Sequence, residues 1–289
     1  MIHIYKNFNS LVARNHLESA NYRLDVQNSV NNRKGQYNSS RYGHEVVRTE
    51  LQQIYHDKCC YCESKIPPVA TPQIEHFRPK AKITGVNDNG YYWLGYEWSN
   101  LLMVCPACNG IKSSKFPLHI NNRIVNHPTT NGGNLDYTLF SLTSGYLKNE
   151  RPLIINPEVL YPEKLMYIDY FCKLNPIKGN RYAVTTIREL KLNRDALIAA
   201  RQKIVDDVII RIEEQIVIKF EENTTNNQFK RQLNIIFKDI VKRMSPTEEY
   251  TLLGINMVMS FDELILEDID PYFHDTIMDY FIEFLDNID

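Results

Sequence analysis

No apolar run in this 289-residue chain approaches the roughly 18 residues needed to cross a bilayer. The opening Met1 to Asn7 also lacks the apolar stretch of a secretory signal, so no membrane association and a cytoplasmic location are expected. Low-complexity tracts and internal repeats are missing as well, which excludes a mainly disordered chain and a solenoid. Nor is there a large charge of either sign, the net value being −2. That small mean conceals one further absence: Ser245 to Asp289 holds twelve acidic residues and no Lys or Arg, leaving 33 basic against 23 acidic side chains in residues 1–244. A mildly basic body with an acidic end is compatible with contact to a polyanion through the body, and equally with a solvated acidic helical face.

Cysteines are few, six in all, but four form two Cys-x-x-Cys pairs, Cys59/Cys62 and Cys105/Cys108. In a reducing compartment that spacing favours metal over disulfides. Four thiolates in two close pairs make a closed tetrahedral zinc site, which holds structure and leaves chemistry to what it frames. Between the pairs lie 42 residues, Glu63 to Val104, far more than the roughly 15–20 of a zinc ribbon. Cys60 and Cys172 are left over, the latter read as a small buried hydrophobe.

The long insert carries Gln73-Ile74-Glu75-His76-Phe77, and Asn100 precedes the apolar run into Cys105. Neutral imidazole takes a proton near pH 7, and a carboxylate is a hard ligand for Mg²⁺ or Mn²⁺, so Glu75 and His76 offer the parts of phosphodiester hydrolysis. On an extended strand the two point to opposite faces, and they share a phosphate only where the strand ends. Asn100 is positioned to brace the loop that presents His76. Asn109, expected to open a short helix after Cys108, is a candidate second metal ligand beside Glu75. Arg78, Lys80, Lys112 and Lys115 are candidate phosphate contacts. Both tryptophans fall in Tyr91 to Trp98, a cluster suited to core packing and, less often, to base stacking.

Periodicity predicts helices around Leu11 to Val26 and through Val47, Leu51, Ile54 and Tyr55. It also predicts a long helix capped by Asn193 and another through Phe229 to Ile240. Thr186-x-x-Glu189 and Ser245-Pro246 with Glu248 read as further helix starts. Leu153 to Ile155 and Leu165 to Ile168 read as short strands. The resulting division is an N-terminal helical segment over 1–57, a zinc-bound module over 58–126, a loop-rich connection over 127–180 and an acidic-ended helical region over 181–289.

Cys-x2-Cys, Glu-His, Asn and Cys-x2-Cys-Asn-x2-Lys together resemble the HNH nuclease family over about residues 58 to 117. The resemblance implies an α+β, mostly helical protein with a ββα-metal core, His76 as general base and Asn100 as the middle asparagine. Glu75 and Asn109 stand where many members have aspartate and histidine. The strings Ile74 to Lys80, Ile155-Asn156-Pro157-Glu158 and Thr186 to Arg194 narrow the likeness to the PtuB-like HNH subunits of Septu-type and retron-linked antiphage systems. That implies an effector cutting DNA or tRNA beside an ABC-type, PtuA-like ATPase. The competing readings are a zinc-stapled recruitment or binding module and a stand-alone restriction-type enzyme.

Overall fold

The computed structural model describes residues 1–120 and 122–288, an α+β protein about half helical with two small sheets. Helices α1 (Leu11–Leu17), α2 (Ala20–Asn31), the short α3 (Ser39–Tyr42) and α4 (Glu45–Tyr55) open the chain. The stretch expected as one helix from Leu11 to Val26 breaks at Glu18 and Ser19, and Ser19 starts α2. In α4, Val47, Leu51 and Tyr55 are buried at a spacing of four, which gives the helix its one apolar face.

Strands β1 (Gln73–His76) and β2 (Leu101–Val104) then pair antiparallel, with Glu75 opposite Leu102 and His76 opposite Leu101. Helix α5 (Pro106–Lys112) follows at once. Its N-cap is Cys105, whose sulfur accepts from the Cys108 amide at 3.4 Å, and Pro106 takes the first turn, where no amide hydrogen is needed. Asn109 therefore sits inside the helix rather than at its start. A short α6 (Gly145–Lys148) precedes β3 (Met166–Ile168) and β4 (Leu174–Pro176), which pair with each other. Leu153 to Ile155 is not a strand: the Ile155 amide donates to Thr186 Oγ1 at 2.8 Å instead.

The remainder is helical: α7 (Arg181–Glu189), α8 (Asp195–Glu221), α9 (Asn226–Lys242), α10 (Thr251–Met259), α11 (Phe261–Leu264) and α12 (His274–Asp286). Three expected starts are corrected. Asn180 caps α7, so Thr186 lies within that helix. Asn193 does not cap α8, because its amide bridges both backbone groups of Leu174, at 2.8 and 2.9 Å. Ser245 to Glu248 is a turn, and the next helix begins at Thr251. A cap not foreseen, the reciprocal Thr225–Gln228 box, starts α9. The acidic end docks on its own chain, Phe281 of α12 lying 5.0 Å from Phe237 of α9 between ring centroids.

Candidate active site and metal centre

The sulfurs of Cys59, Cys62, Cys105 and Cys108 lie within 4.8 Å of one another. Cys62 and Cys105 are 3.8 Å apart, close to the edge of ~3.8 Å that a tetrahedron of Zn–S bonds near 2.3 Å requires. This donor set fits a closed metal site of four thiolates. Hydrogen bonds from neighbouring thiols hold Cys62 well below the ordinary thiol range and bring Cys105 to about 7, whereas burial drives Cys59 up. Arg194, from the wider motif, reaches the cluster from outside: its Nη2 donates to Cys108 Sγ at 3.6 Å. A guanidinium there offsets the negative charge that four thiolates leave around a dication.

The cysteine frame fixes β1, β2 and α5, and with them the Glu75-His76 pair. Strand β1 stops at His76, and both side chains line one cleft of about 220 Å³ with Pro79, Lys80, Ser113 and Ser114. The strand end therefore supplies the bend that lets opposite-facing neighbours share a space. His76 Nε2 lies 2.9 Å from the Gly95 carbonyl and must donate to it, so Nδ1 is the acceptor nitrogen. Lys80 Nζ lies 3.3 Å from that nitrogen. The Tyr42 ring stands edge-on to the imidazole, 4.8 Å between centroids, and Lys80 lies over the same ring. Burial, with the Lys80 and Lys112 cations adding to it, pushes the His76 pKa down to about 3. The imidazole is neutral at physiological pH.

Asn100 is fully buried and acts as a brace: Oδ1 accepts from the Arg78 amide at 2.8 Å, and Nδ2 donates to the carbonyls of Arg78 at 3.0 Å and Leu94 at 3.3 Å. It ties the chain just after His76 to the segment that ends in Gly95. A Cβ at Gly95 would run into the Tyr37 ring, so this position is closed to any side chain.

The expected divalent-ion ligands are engaged elsewhere. Glu75 Oε1 accepts from the Lys112 ammonium, which also donates to the His76 carbonyl at 3.2 Å. Asn109 Nδ2 donates to Gln73 Oε1 at 2.6 Å. Positions 73 and 75 share a strand face, positions 109 and 112 share a helix face, and the two pairs zip β1 to α5. Among the described residues the four cysteines are the one cluster of three or more His, Cys, Asp or Glu groups able to hold a metal.

Of the four cations expected at phosphates, Lys80 lines the cleft. Lys112 is fully buried against Glu75, and Arg78 is buried with Nε 2.8 Å from Glu150. Lys115 is partly exposed and holds the Glu189 carbonyl at 3.1 Å. The aromatic segment is core: Tyr91, Tyr92, Trp93, Tyr96 and Trp98 are all buried. Sequence reasoning missed Tyr42, Gly95 and Lys6, whose buried ammonium pairs with Glu158 at 3.2 Å and holds the carbonyls of Trp98 and Leu101.

The chain is 28% identical over 176 residues to the Septu protein PtuB of Bacillus mycoides (strain KBAB4), covering 59% of this chain and 54% of that protein. It resembles Septu proteins. A second PtuB, from Bacillus thuringiensis, is 26% identical over 195 residues, 66% of this chain and 58% of the relative. The Septu protein PtuA of B. mycoides is 25% identical over 162 residues, 54% of this chain but 20% of PtuA. The chain thus spans little more than half the length of the PtuB relatives. No protein-family model and no solved structure matches it.

Proposed function

We propose that this chain is an HNH-type phosphodiester hydrolase that serves as effector in a Septu-type antiphage system. The observation that carries the reading is the His76 imidazole beside the cleft: its Nε2 proton is held by the Gly95 carbonyl, and its Nδ1 lies 3.3 Å from the ammonium of Lys80, which lines that cleft. On binding, a phosphate takes up the Lys80 ammonium that caps Nδ1 in the free protein and its charge raises the basicity of the imidazole, which then takes the proton of the attacking water as the ester oxygen leaves. Asn100 and Gly95 keep the imidazole in place. The four cysteines hold a structural zinc ion, whose contribution is to fix the two strands and the helix. Glu75 and the Asn109 amide oxygen would hold a Mg²⁺ or Mn²⁺ ion where Lys112 gives up Glu75, and the ion would supply further positive charge to the phosphate. Likeness to PtuB supports the assignment to antiphage defence, and likeness to a segment of PtuA supports it further. An ABC-type ATPase partner and a nucleic acid, DNA or tRNA, as substrate complete the proposal.

The test is cleavage of plasmid DNA and total tRNA by wild-type and His76→Ala protein, alone and with a co-expressed ATPase. Assays run with Mg²⁺, with Mn²⁺ and without added divalent ion. His76-dependent cutting is expected, and intact cutting by the variant would remove the mechanism. One observation favours a second reading, a zinc-stapled binding module: Glu75 and Lys112 neutralise each other inside the fold. Persistent inactivity of zinc-loaded protein with its partner present would select that reading.

A further inference from the structure

The cleft beside His76 has two wall residues that the proposed chemistry leaves idle. Lys82 and Ser113 both line it, and both are exposed. Lys82 is in no ion pair among the described residues, and Asp88, the acid nearest to it along the chain, is held by Arg123 at 3.3 Å. Ser113 closes α5: its amide donates to the Asn109 carbonyl at 2.8 Å, and its φ is 48° with ψ −129°. That left-handed backbone favours glycine, and other residues held in such conformations cluster at functional sites. Glycine would make this turn without strain, so what serine adds is its hydroxyl. The Ser114 hydroxyl lies 2.8 Å from Thr84 Oγ1, whereas that of Ser113 has no partner among the described residues. A third cation comes from a distant segment. A Cβ at Gly35 would stand 1.8 Å from the Lys80 carbonyl oxygen, so the two backbones touch there. Lys34, exposed and in no ion pair among the described residues, is one residue, about 3.8 Å, from that contact. Gly90 approaches the next carbonyl, that of Ala81, as closely, and the loop from Pro79 to Lys82 is thereby fixed in place.

We propose that Ser113, Lys82 and Lys34 grip the sugar-phosphate backbone of a nucleic-acid strand next to the phosphate that reaches His76 and Lys80. The choice of a phosphodiester over a peptide carboxylate as the anion rests on the nuclease reading of that imidazole. The two ammoniums are unpaired point charges on the fixed loop and on the segment seated against it, and each suits a phosphate flanking the bond to be cut. The Ser113 hydroxyl donates to a phosphate oxygen, a bond strengthened by the acceptor's charge. Sequence goes unread at this grip. Among the described residues the cleft wall offers no aromatic ring to stack on a base and no Asn, Gln or Arg to pair with a base edge.

Binding is measured apart from cleavage, in His76→Ala protein, by fluorescence anisotropy with labelled single-stranded DNA and RNA of unrelated sequences over a series of salt concentrations. Lys34→Ala and Lys82→Ala should each weaken every sequence alike, by about three- to tenfold, and lower the slope of log affinity against log salt by about 0.7. Ser113→Gly should weaken binding with that slope unchanged, because no charge is removed, and with a melting temperature equal to or above the parent's. A lower melting temperature in Ser113→Gly would make that residue structural and remove it from the set. Lys238→Ala is the control: it removes an exposed cation of α9, which packs on α8, α10 and α12, and should bind as the parent does. The proposal falls if no strand binds at low salt, if the three variants bind as the parent does, or if Lys238→Ala weakens binding as much as they do. Cutting by wild type with the three variants unimpaired would keep the nuclease and remove this grip. Binding that needs the three residues, in a chain whose wild type never cuts, would keep the grip and remove the nuclease.

Discussion

At the scale of single residues the site depends on where its protons sit. His76 keeps its proton on Nε2 because the Gly95 carbonyl accepts there, and Nδ1 is left as the base. Replacing His76 with Ala should lower cleavage by about 10²–10⁴-fold, the usual contribution of a positioned base, with zinc content unchanged. The same imidazole makes a prediction about stability. Its folded pKa, pushed down to about 3, lies below the ordinary ~6.5, so the unfolded chain binds the extra proton first. The stability gained from keeping His76 neutral is full above about pH 6.5 and is lost as pH falls towards about 3. Melting temperature should therefore drop more steeply on acidification in wild type than in His76→Ala, and equal slopes would contradict the burial argument. The other proton belongs to Lys112. Breaking its buried pair with Glu75 leaves an unpaired charge, so Lys112→Met should destabilise by about 3–5 kcal/mol, whereas Glu75→Gln with Lys112→Met should recover most of that loss. Urea titrations of the two variants decide it.

At the scale of elements, what could be read from sequence was what depends on spacing along one chain. The Cys-x-x-Cys pairs, the face of α4 and the register of α9 from Phe229 to Ile240 are local periodicities, and the structure brings those residues together. The Glu75–Lys112 and Gln73–Asn109 pairs depend instead on the rotation of α5 against β1, a relation between elements that no spacing within one of them encodes. Helix starts failed for a related reason. Thr186 and Asn193 have capping chemistry, yet Ile155 and Leu174 from distant segments take up their side chains. The gap between opposite-facing Glu75 and His76 closes because the strand ends at His76, a boundary the residues themselves do not announce. Gly95 shows how an element can matter without a functional group: its carbonyl holds His76, and Tyr37 fills the space of a side chain. Gly95→Ala should therefore cut activity while the zinc stays bound to its four cysteines, measured as cleavage rate against zinc released by a thiol reagent. A loss of zinc equal to the loss of activity would show that the effect is general unfolding.

At the scale of the whole molecule, the four-cysteine frame and the acidic end are joined directly, although composition alone separates them into a basic body and an acidic tail. Lys58, just before the first cysteine, donates to the Glu248 carbonyl at 2.7 Å and to Thr251 Oγ1 at 2.8 Å. Ser64, just after the second, lies 2.9 Å from the Tyr250 hydroxyl. Arg194, on the approach to α8, reaches Cys108. One buried apolar cluster runs from the N-terminal residues to Phe281. Such crossing contacts were illegible because their partners lie up to 193 positions apart in the chain. They also imply cooperativity: a metal that orders the cysteines orders the surfaces on which α10 and the turn before it pack. Removing zinc with a strong chelator should lower the melting temperature of the chain as a single transition, because ligand deprotonation and site assembly are linked to folding. Cys105→Ser should reproduce the shift, and Arg194→Met should give a smaller one together with faster zinc loss. Helix signal from α8, α9 and α12 that melted separately and kept its midpoint after chelation would show that these contacts do not couple the two ends, and that the acidic helices stand as an independent unit.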